Sequence, residues 1–222
     1  MLLKASFILV LSLMMMAQAQ GQHRHEQKTP SARTADRELL GATDSAGREV
    51  IIDGRRLIIP DVLLQDQSGK EVRFYTDLLQ RKSFVLGFFF TDCTYVCRRQ
   101  GALFAAVQKQ LGERLGKDTF IISVTVNPQR DTVERLRVWG ERYGRKPGWT
   151  LVTGAVSEME KLLIAFTGEG AGPRDIHAGL IFIANDKTQR WTYVDELTSA
   201  AEVESKINEV GRGVRSTRSA KQ

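Results

Sequence analysis

An α/β sandwich is the fold class this chain predicts, on three observations. The apolar run Phe84–Phe90 reads as a buried strand, and a cysteine pair, Cys93 and Cys97, follows it directly. Beyond the pair, strand-like segments are interspersed with segments whose apolar residues recur every three or four positions. Before it, two short strand pairs joined by glycine turns add hairpins to the N-terminal side.

Residues 1–19 are expected to lie outside the fold. Lys4 gives a short positive start, Ala5 to Ala17 is apolar, and Ala17-Gln18-Ala19 fits an A-x-A cleavage site. The apolar stretch falls short of the ~20 residues that cross a bilayer. A cleaved secretory signal peptide is therefore preferred to an uncleaved membrane anchor. With no cysteine at the cleavage point, a lipoprotein is disfavoured. The segment lacks the Arg- and Ser-rich character of a mitochondrial transit peptide, so the expected destination is the bacterial periplasm, where disulfides are permitted. Residues 20–48 are polar, charged and aperiodic and read as a disordered linker. Residues 49–211 form one α/β domain, and 212–222 a basic disordered tail.

Within the domain, Val50-Ile51-Ile52 and Leu57-Ile58-Ile59 flank the turn signal Asp53-Gly54 and predict a hairpin. Gln67-Ser68-Gly69 separates a second pair, Val62-Leu63-Leu64 and Val72-Arg73-Phe74. After the cysteines, Leu103, Phe104, Val107, Leu111 and Leu115 trace one helical face. Phe120–Val126 is rich in β-branched residues without strict alternation, as suits the central strand of a sheet covered on both sides. Asp131 is expected to cap the next helix, with Glu134 completing a capping box and Val133, Leu136, Trp139 and Tyr143 on its apolar face. Another helix carries Met159, Leu162, Leu163 and Phe166. The glycine-rich loop Gly168–Gly172 leads to two strands, Gly179–Ala184 and Trp191–Val194, and a last helix shows Val203, Ile207 and Val210. The order is strand, cysteine loop, helix, strand, helix, helix, hairpin, helix: a thioredoxin-like sandwich with extra N-terminal β-hairpins.

The formal net charge of +6 is unevenly placed. Lys4 leaves with the signal, and Arg212, Arg215, Arg218 and Lys221 crowd the tail with no acidic residue after Glu209. The domain itself is close to neutral, which gives a nucleic-acid role little support and implies weak or no membrane contact.

The chain has two cysteines and three histidines, and His177 is the only histidine outside the N-terminal segment; His23 and His25 read as part of a polar tail. Thiolate sulfur is a soft ligand that selects Cu(I), zinc or iron–sulfur clusters. Structural zinc normally takes four ligands and iron–sulfur clusters four cysteines. Cys93, Cys97 and His177 supply three, a count that copper fits best. The positive end of the following helix, and Arg98 beside Cys97, are expected to favour thiolates. A structural disulfide is the plain alternative, but so short a loop gains little by closure.

Four ordered blocks resemble the SCO/SenC family of copper chaperones. Thr91-x-Cys93-x-x-x-Cys97 is similar to the family's T-x-C-P-x-x-C-P, and Ser123-Val124-Thr125-Val126-Asn127-Pro128-Gln129-Arg130-Asp131-Thr132 resembles its S-V-D-P-x-R-D-T with a small insertion. Trp149–Gly154 resembles W-x-x-L-T-G, and Asp175-Ile176-His177 falls where the family places its metal-binding histidine. The resemblance implies that Cys93, Cys97 and His177 bind copper for delivery to the CuA subunit of cytochrome c oxidase or another copper acceptor. It also implies that Cys93 and Cys97 can act as a redox pair toward the CuA-site cysteines, with a thioredoxin-like reductant as a further partner. Thr94 and Arg98 stand where the family has proline, and Asn127 where it has aspartate.

Three other readings stay open. A thiol–disulfide reductase would act on partner cysteines without copper transfer, though its usual spacing is C-x-x-C and residues 175–178 lack proline. A peroxiredoxin would need proline at the position of Phe90. A redox or copper sensor would use the same site.

Overall fold

Alternation along the strands dictates the two-sided core. In Ser83–Phe89 (β5), Phe84, Leu86 and Phe88 point to one hydrophobic cluster while Val85 and Phe89 point to the other. Successive side chains of a strand face opposite ways, so a strand with no polar position on either side must be covered twice. The computed structural model describes residues 47–52, 54–167 and 179–212 and shows that arrangement.

Seven strands form one mixed sheet in the order β4-β3-β7-β6-β5-β8-β9. They are Leu63–Asp66 (β3), Glu71–Arg73 (β4), β5, Thr119–Thr125 (β6), Trp149–Thr153 (β7), Ile181–Asn185 (β8) and Arg190–Val194 (β9). Strands β5, β6 and β7 run parallel, whereas β3 and β8 flank them antiparallel. Strand β6 lies at the centre, as its composition predicted. Strands Arg48–Ile52 (β1) and Arg55–Ile59 (β2) form a separate two-stranded hairpin, the pair predicted from the sequence; Gly54 before β2 takes a φ of 77°, which favours glycine. The second hairpin joins β3 to β4 across residues 67–70.

Among the described residues four α-helices complete the layers: Val96–Leu111 (α1), Val133–Arg142 (α2), Val156–Thr167 (α3) and Ala200–Gly211 (α4). Leu103, Phe104 and Val107 of α1, Leu136 and Trp139 of α2 and Val203, Ile207 and Val210 of α4 bury against one face. The other face takes Met159, Leu162, Leu163 and Phe166 of α3, together with Val50, Ile52, Leu57 and Ile59 of the first hairpin. A helical turn over Phe74–Leu79 fills this side with Phe74 and Leu79. Trp149, fully buried, keeps its indole N–H satisfied by donating to Ser123 Oγ at 3.0 Å. A buried indole needs such a partner.

Three expectations require correction. The segment Trp149–Thr153 is a strand, which places β7 between two helices read as consecutive. Leu115 lies beyond α1, whose regular turns stop at Leu111; Gly112, at φ 53°, breaks the path and a 3₁₀ turn follows. The cap of α2 is Thr132, whose hydroxyl accepts from the Arg135 N–H at 3.4 Å, and Asp131 is turned inward instead. Glu134 pairs with Arg137 rather than closing a capping box. The glycine-rich loop and His177 lie outside the described residues.

Gly87, mid-strand in β5, sets how closely α1 approaches the sheet. A Cβ there would meet the Gln100 side-chain amide nitrogen at 2.7 Å and the Phe104 ring at 2.8 Å. Gly87→Ala is expected to cost about 1–3 kcal/mol by overpacking, read as a lowered urea midpoint at unchanged slope. An unchanged midpoint would show that α1 is free to shift.

Candidate functional site

The loop from β5 into α1 runs from Phe90 to Tyr95 and carries Cys93, and Cys97 lies in the first turn of α1. Its conformation is held from below by the Asp131 carboxylate, which is 1% exposed. Thr91 donates to that carboxylate twice, through its backbone N–H (3.1 and 3.2 Å to the two oxygens) and through its hydroxyl. Thr125, the last residue of β6, donates its hydroxyl to the other side. Thr125 Oγ1 in turn accepts from the Asn127 N–H at 3.1 Å, and Thr91 Oγ1 accepts from Arg135 Nε at 3.0 Å. A buried carboxylate is costly unless its oxygens are satisfied, and here they are satisfied by two segments that must therefore stay together. At the surface, Asp92 pairs with Arg135 and, at 3.7 Å, with Arg130.

Above this support, the Cys93 N–H donates to the Phe90 carbonyl at 3.2 Å and closes the turn. Tyr95, at the N-cap of α1, makes no side-chain capping bond. The sulfur of Cys93 accepts from the Cys97 N–H at 3.3 Å, so it meets one of the free donors that open a helix. Cys93 is partly exposed and Cys97 is buried at 1% exposure; the two are free thiols.

The thiols are unequal. Burial pushes the Cys97 thiol up to about 12, reinforced by its hydrogen bond with Cys93 and opposed by a backbone hydrogen bond at Phe90; the charges of Cys93 and Asp131 push it further up. The expectation that helix end and Arg98 would hold Cys97 as a thiolate is thus overturned for the metal-free protein: desolvation dominates. Arg98 points to solvent and does not offset it. A cation binding both sulfurs would have to displace the Cys97 proton, the usual coupling of thiolate ligation to deprotonation.

The structure thus brings Cys93 and Cys97 together at the C-terminal end of a central parallel strand, while the third expected ligand, His177, lies outside the described residues. Among the described residues no group of three Cys, His, Asp or Glu side chains is arranged to hold a metal ion, and no helix is long and apolar enough to cross a membrane. Asp131 is the supporting residue that reading for caps assigned to the wrong task. Its signal was present in Thr91 and Thr125, two hydroxyl residues ending apolar strand segments.

The profile of the SCO1/SenC family matches residues 54–212. No curated protein sequence matches the chain. Among solved structures, Bradyrhizobium japonicum ScoI with copper bound is 18% identical, with 75% of this chain and 99% of that one covered at a TM-score of 0.54. Yeast Sco1 with copper bound is 16% identical, with coverage of 79% and 99% and a TM-score of 0.56. BsSco, a Sco-family cytochrome c oxidase assembly protein with a disulfide switch, is 20% identical, with coverage of 76% and 96% and a TM-score of 0.57. These likenesses establish the thioredoxin-like fold of the Sco structures, with the extra N-terminal strands in place.

Two outcomes test the site. Asp131→Ala should cost about 3 kcal/mol, because it strips hydrogen bonds to a charged group and leaves Thr91 and Thr125 without their acceptor; chemical denaturation measures it, and a loss below about 0.5 kcal/mol would show that the loop is held by other contacts. Brief alkylation of the reduced protein at neutral pH, followed by peptide mass spectrometry, should label Cys93 before Cys97. Equal labelling would contradict the burial and the raised pKa of Cys97.

Proposed function

The chain belongs to the SCO1/SenC family, and from that premise we propose that it binds copper through Cys93, Cys97 and His177 and passes it to the CuA site of a respiratory cytochrome c oxidase. The observation that carries this reading is the pair of free thiols at the head of α1, with the Cys93 sulfur 3.3 Å from the Cys97 N–H. A two-sulfur donor set at a helix N-terminus suits a soft monovalent cation, and one imidazole would complete three-coordination. The copper-bound ScoI and Sco1 structures share this fold. Copper is the cargo here. The protein's part is to keep both sulfurs reduced, fixed in position and reachable from one side.

Export to the periplasm fits this role, since the acceptor domain of such an oxidase would be met outside the cytoplasm. The leader-like residues 1–19 support export.

A second reading is favoured by one specific observation. Cys93 is accessible and Cys97 lies within one helical turn of it, the arrangement of an attacking thiol and a resolving thiol. In this alternative the pair reduces a partner disulfide and copper is not transferred. His177 separates the two: a copper carrier needs its imidazole, and a disulfide reductant does not.

Anaerobic Cu(I) titration of the reduced protein against a competing chelator, repeated with His177→Ala, tests the proposal. One-to-one binding that weakens at least about tenfold in the variant, about 1.4 kcal/mol, is the expected result. Binding unchanged by the substitution would remove His177 from the site. No competitive binding by the unmodified protein, with both thiols reduced, would leave disulfide reduction as the function.

A further inference from the structure

The cysteine pair is framed by arginine. Residues 91–99 and 127–142, two described segments beside it, contain six arginines and four carboxylates and no lysine. The carboxylates are largely spoken for. Asp131 is buried beneath the loop. Glu134 and Glu141 both pair with Arg137, the latter at 2.6 Å. Asp92 is shared between Arg130 and Arg135. Arg98, Arg99 and Arg142 have no ion-pair partner among the described residues, and all three are exposed.

Two of these arginines follow Cys97 directly in the chain, and the third ends α2. Arg98 follows Cys97 in the first turn of α1, and Arg99 lies one turn from Tyr95, its guanidinium 5.8 Å from the ring centre and its Nη1 3.4 Å from the phenol oxygen. Arg142 is the last residue of α2. It lines a cavity of about 200 Å³ together with Thr91, Asp92 and Arg135. Burial raises the phenol of Tyr143, while the charges of Arg142 and Arg98 act to lower it, that of Cys97 to raise it, and a hydrogen bond with Arg142 to lower it. Tyr95 itself, between the two cysteines in sequence, is 65% exposed. An exposed tyrosine stacked with an unpaired arginine has the composition of a protein-binding hot spot rather than of a solvated face.

We infer that the partner which meets the cysteine pair presents an acidic protein surface, selected by Arg98, Arg99 beside Tyr95, and Arg142 beside Tyr143. The inference rests on the proposed delivery function, in that the partner is the one that receives copper or electrons at these sulfurs. Unpaired guanidiniums steer an approaching carboxylate-rich face and repel a basic one, and they bind carboxylates in a planar, two-pronged fashion that lysine does not match. Arg98 stands where the family motif has proline, so this part of the charge is the chain's own.

The test uses small disulfides as charged probes, so it does not depend on copper. Reduced protein is mixed with oxidised glutathione, which is anionic, or with cystamine, which is cationic. In each case the Cys93 thiolate attacks one probe sulfur and releases one probe thiolate. Cys97 then loses its proton, attacks the Cys93 sulfur and releases the second. The protein dithiol is oxidised by two electrons and the probe disulfide becomes two thiols. Each rate is divided by that of 2-mercaptoethanol with the same probe, which cancels intrinsic probe reactivity.

The normalised rate for oxidised glutathione should exceed that for cystamine by about tenfold or more at low ionic strength. The ratio should collapse toward one near 1 M salt, where the Debye length shrinks to about 3 Å. Arg98→Glu/Arg142→Glu should invert it. Because a ratio is read, a change in thiol acidity cancels, and the salt series on the unsubstituted protein tests the inference even if the variant misfolds. A ratio at or below one, a ratio indifferent to salt, or no reaction with either probe would overturn it. Loss of charge selection with His177-dependent copper binding intact removes this inference alone. Charge selection without copper binding removes the delivery function and leaves an acidic partner for disulfide exchange.

Discussion

The site depends on one buried carboxylate. Asp131 stands just after β6 and before α2, and through Thr91 and Thr125 it ties the exit of β5 to the end of β6. Charge in the interior is tolerated only when hydrogen bonds replace water. That condition works in both directions: the donors hold Asp131 in, and Asp131 holds the donors together. Since Thr91 is two residues from Cys93, the position of the first sulfur follows from an interaction that never touches it. The cap of α2 then falls to Thr132, the neighbour whose hydroxyl is still free to serve.

From that anchor the difference between the two thiols follows. The loop delivers Cys93 to the open end of α1, where a helix N–H meets its sulfur, and α1 then carries Cys97 beneath the surface into the cluster around Phe89, Phe104 and Trp139. One sulfur is partly exposed, and the other is buried and held protonated. Copper loading and disulfide formation both require Cys97 to surrender its proton, and both use the same two sulfur atoms. Under the proposed function they exclude each other at any moment, and the redox state of the pair decides whether copper has a place to bind.

Much of this was legible in the sequence because it rests on periodicity. The Phe84–Phe90 run, the first hairpin and the apolar faces of the helices each obey a local rule, and the structure follows those rules. What local rules misread is equally specific. Asp131 followed by Thr132 offers two good capping residues in succession, and only the tertiary demand of Thr91 and Thr125 decides between them. Trp149–Thr153 escaped reading as a strand because it is covered on both faces and so shows no alternation; its place beside β6 settles it. The raised pKa of Cys97 was hidden for a related reason. Arg98 is visible in the sequence, while the depth of Cys97 is a property of how α1 packs over Gly87.

The closeness of Gly87 to α1 and the unpaired arginines describe two sides of one design constraint. A strand interior gains stability from side chains, so glycine at its middle is a loss unless something must come near. Here what comes near is the helix that carries both cysteines, with the Gln100 amide and the Phe104 ring lying where a Cβ would stand. Drawing α1 down buries Cys97 and leaves Arg98 and Arg99, the next residues along the helix, on its solvent side. Charge at the rim is then a geometric companion of burial at the centre. A helix turned to hide its second sulfur must show what flanks it, and in this chain that is two arginines where a neutral residue would have served the packing equally well.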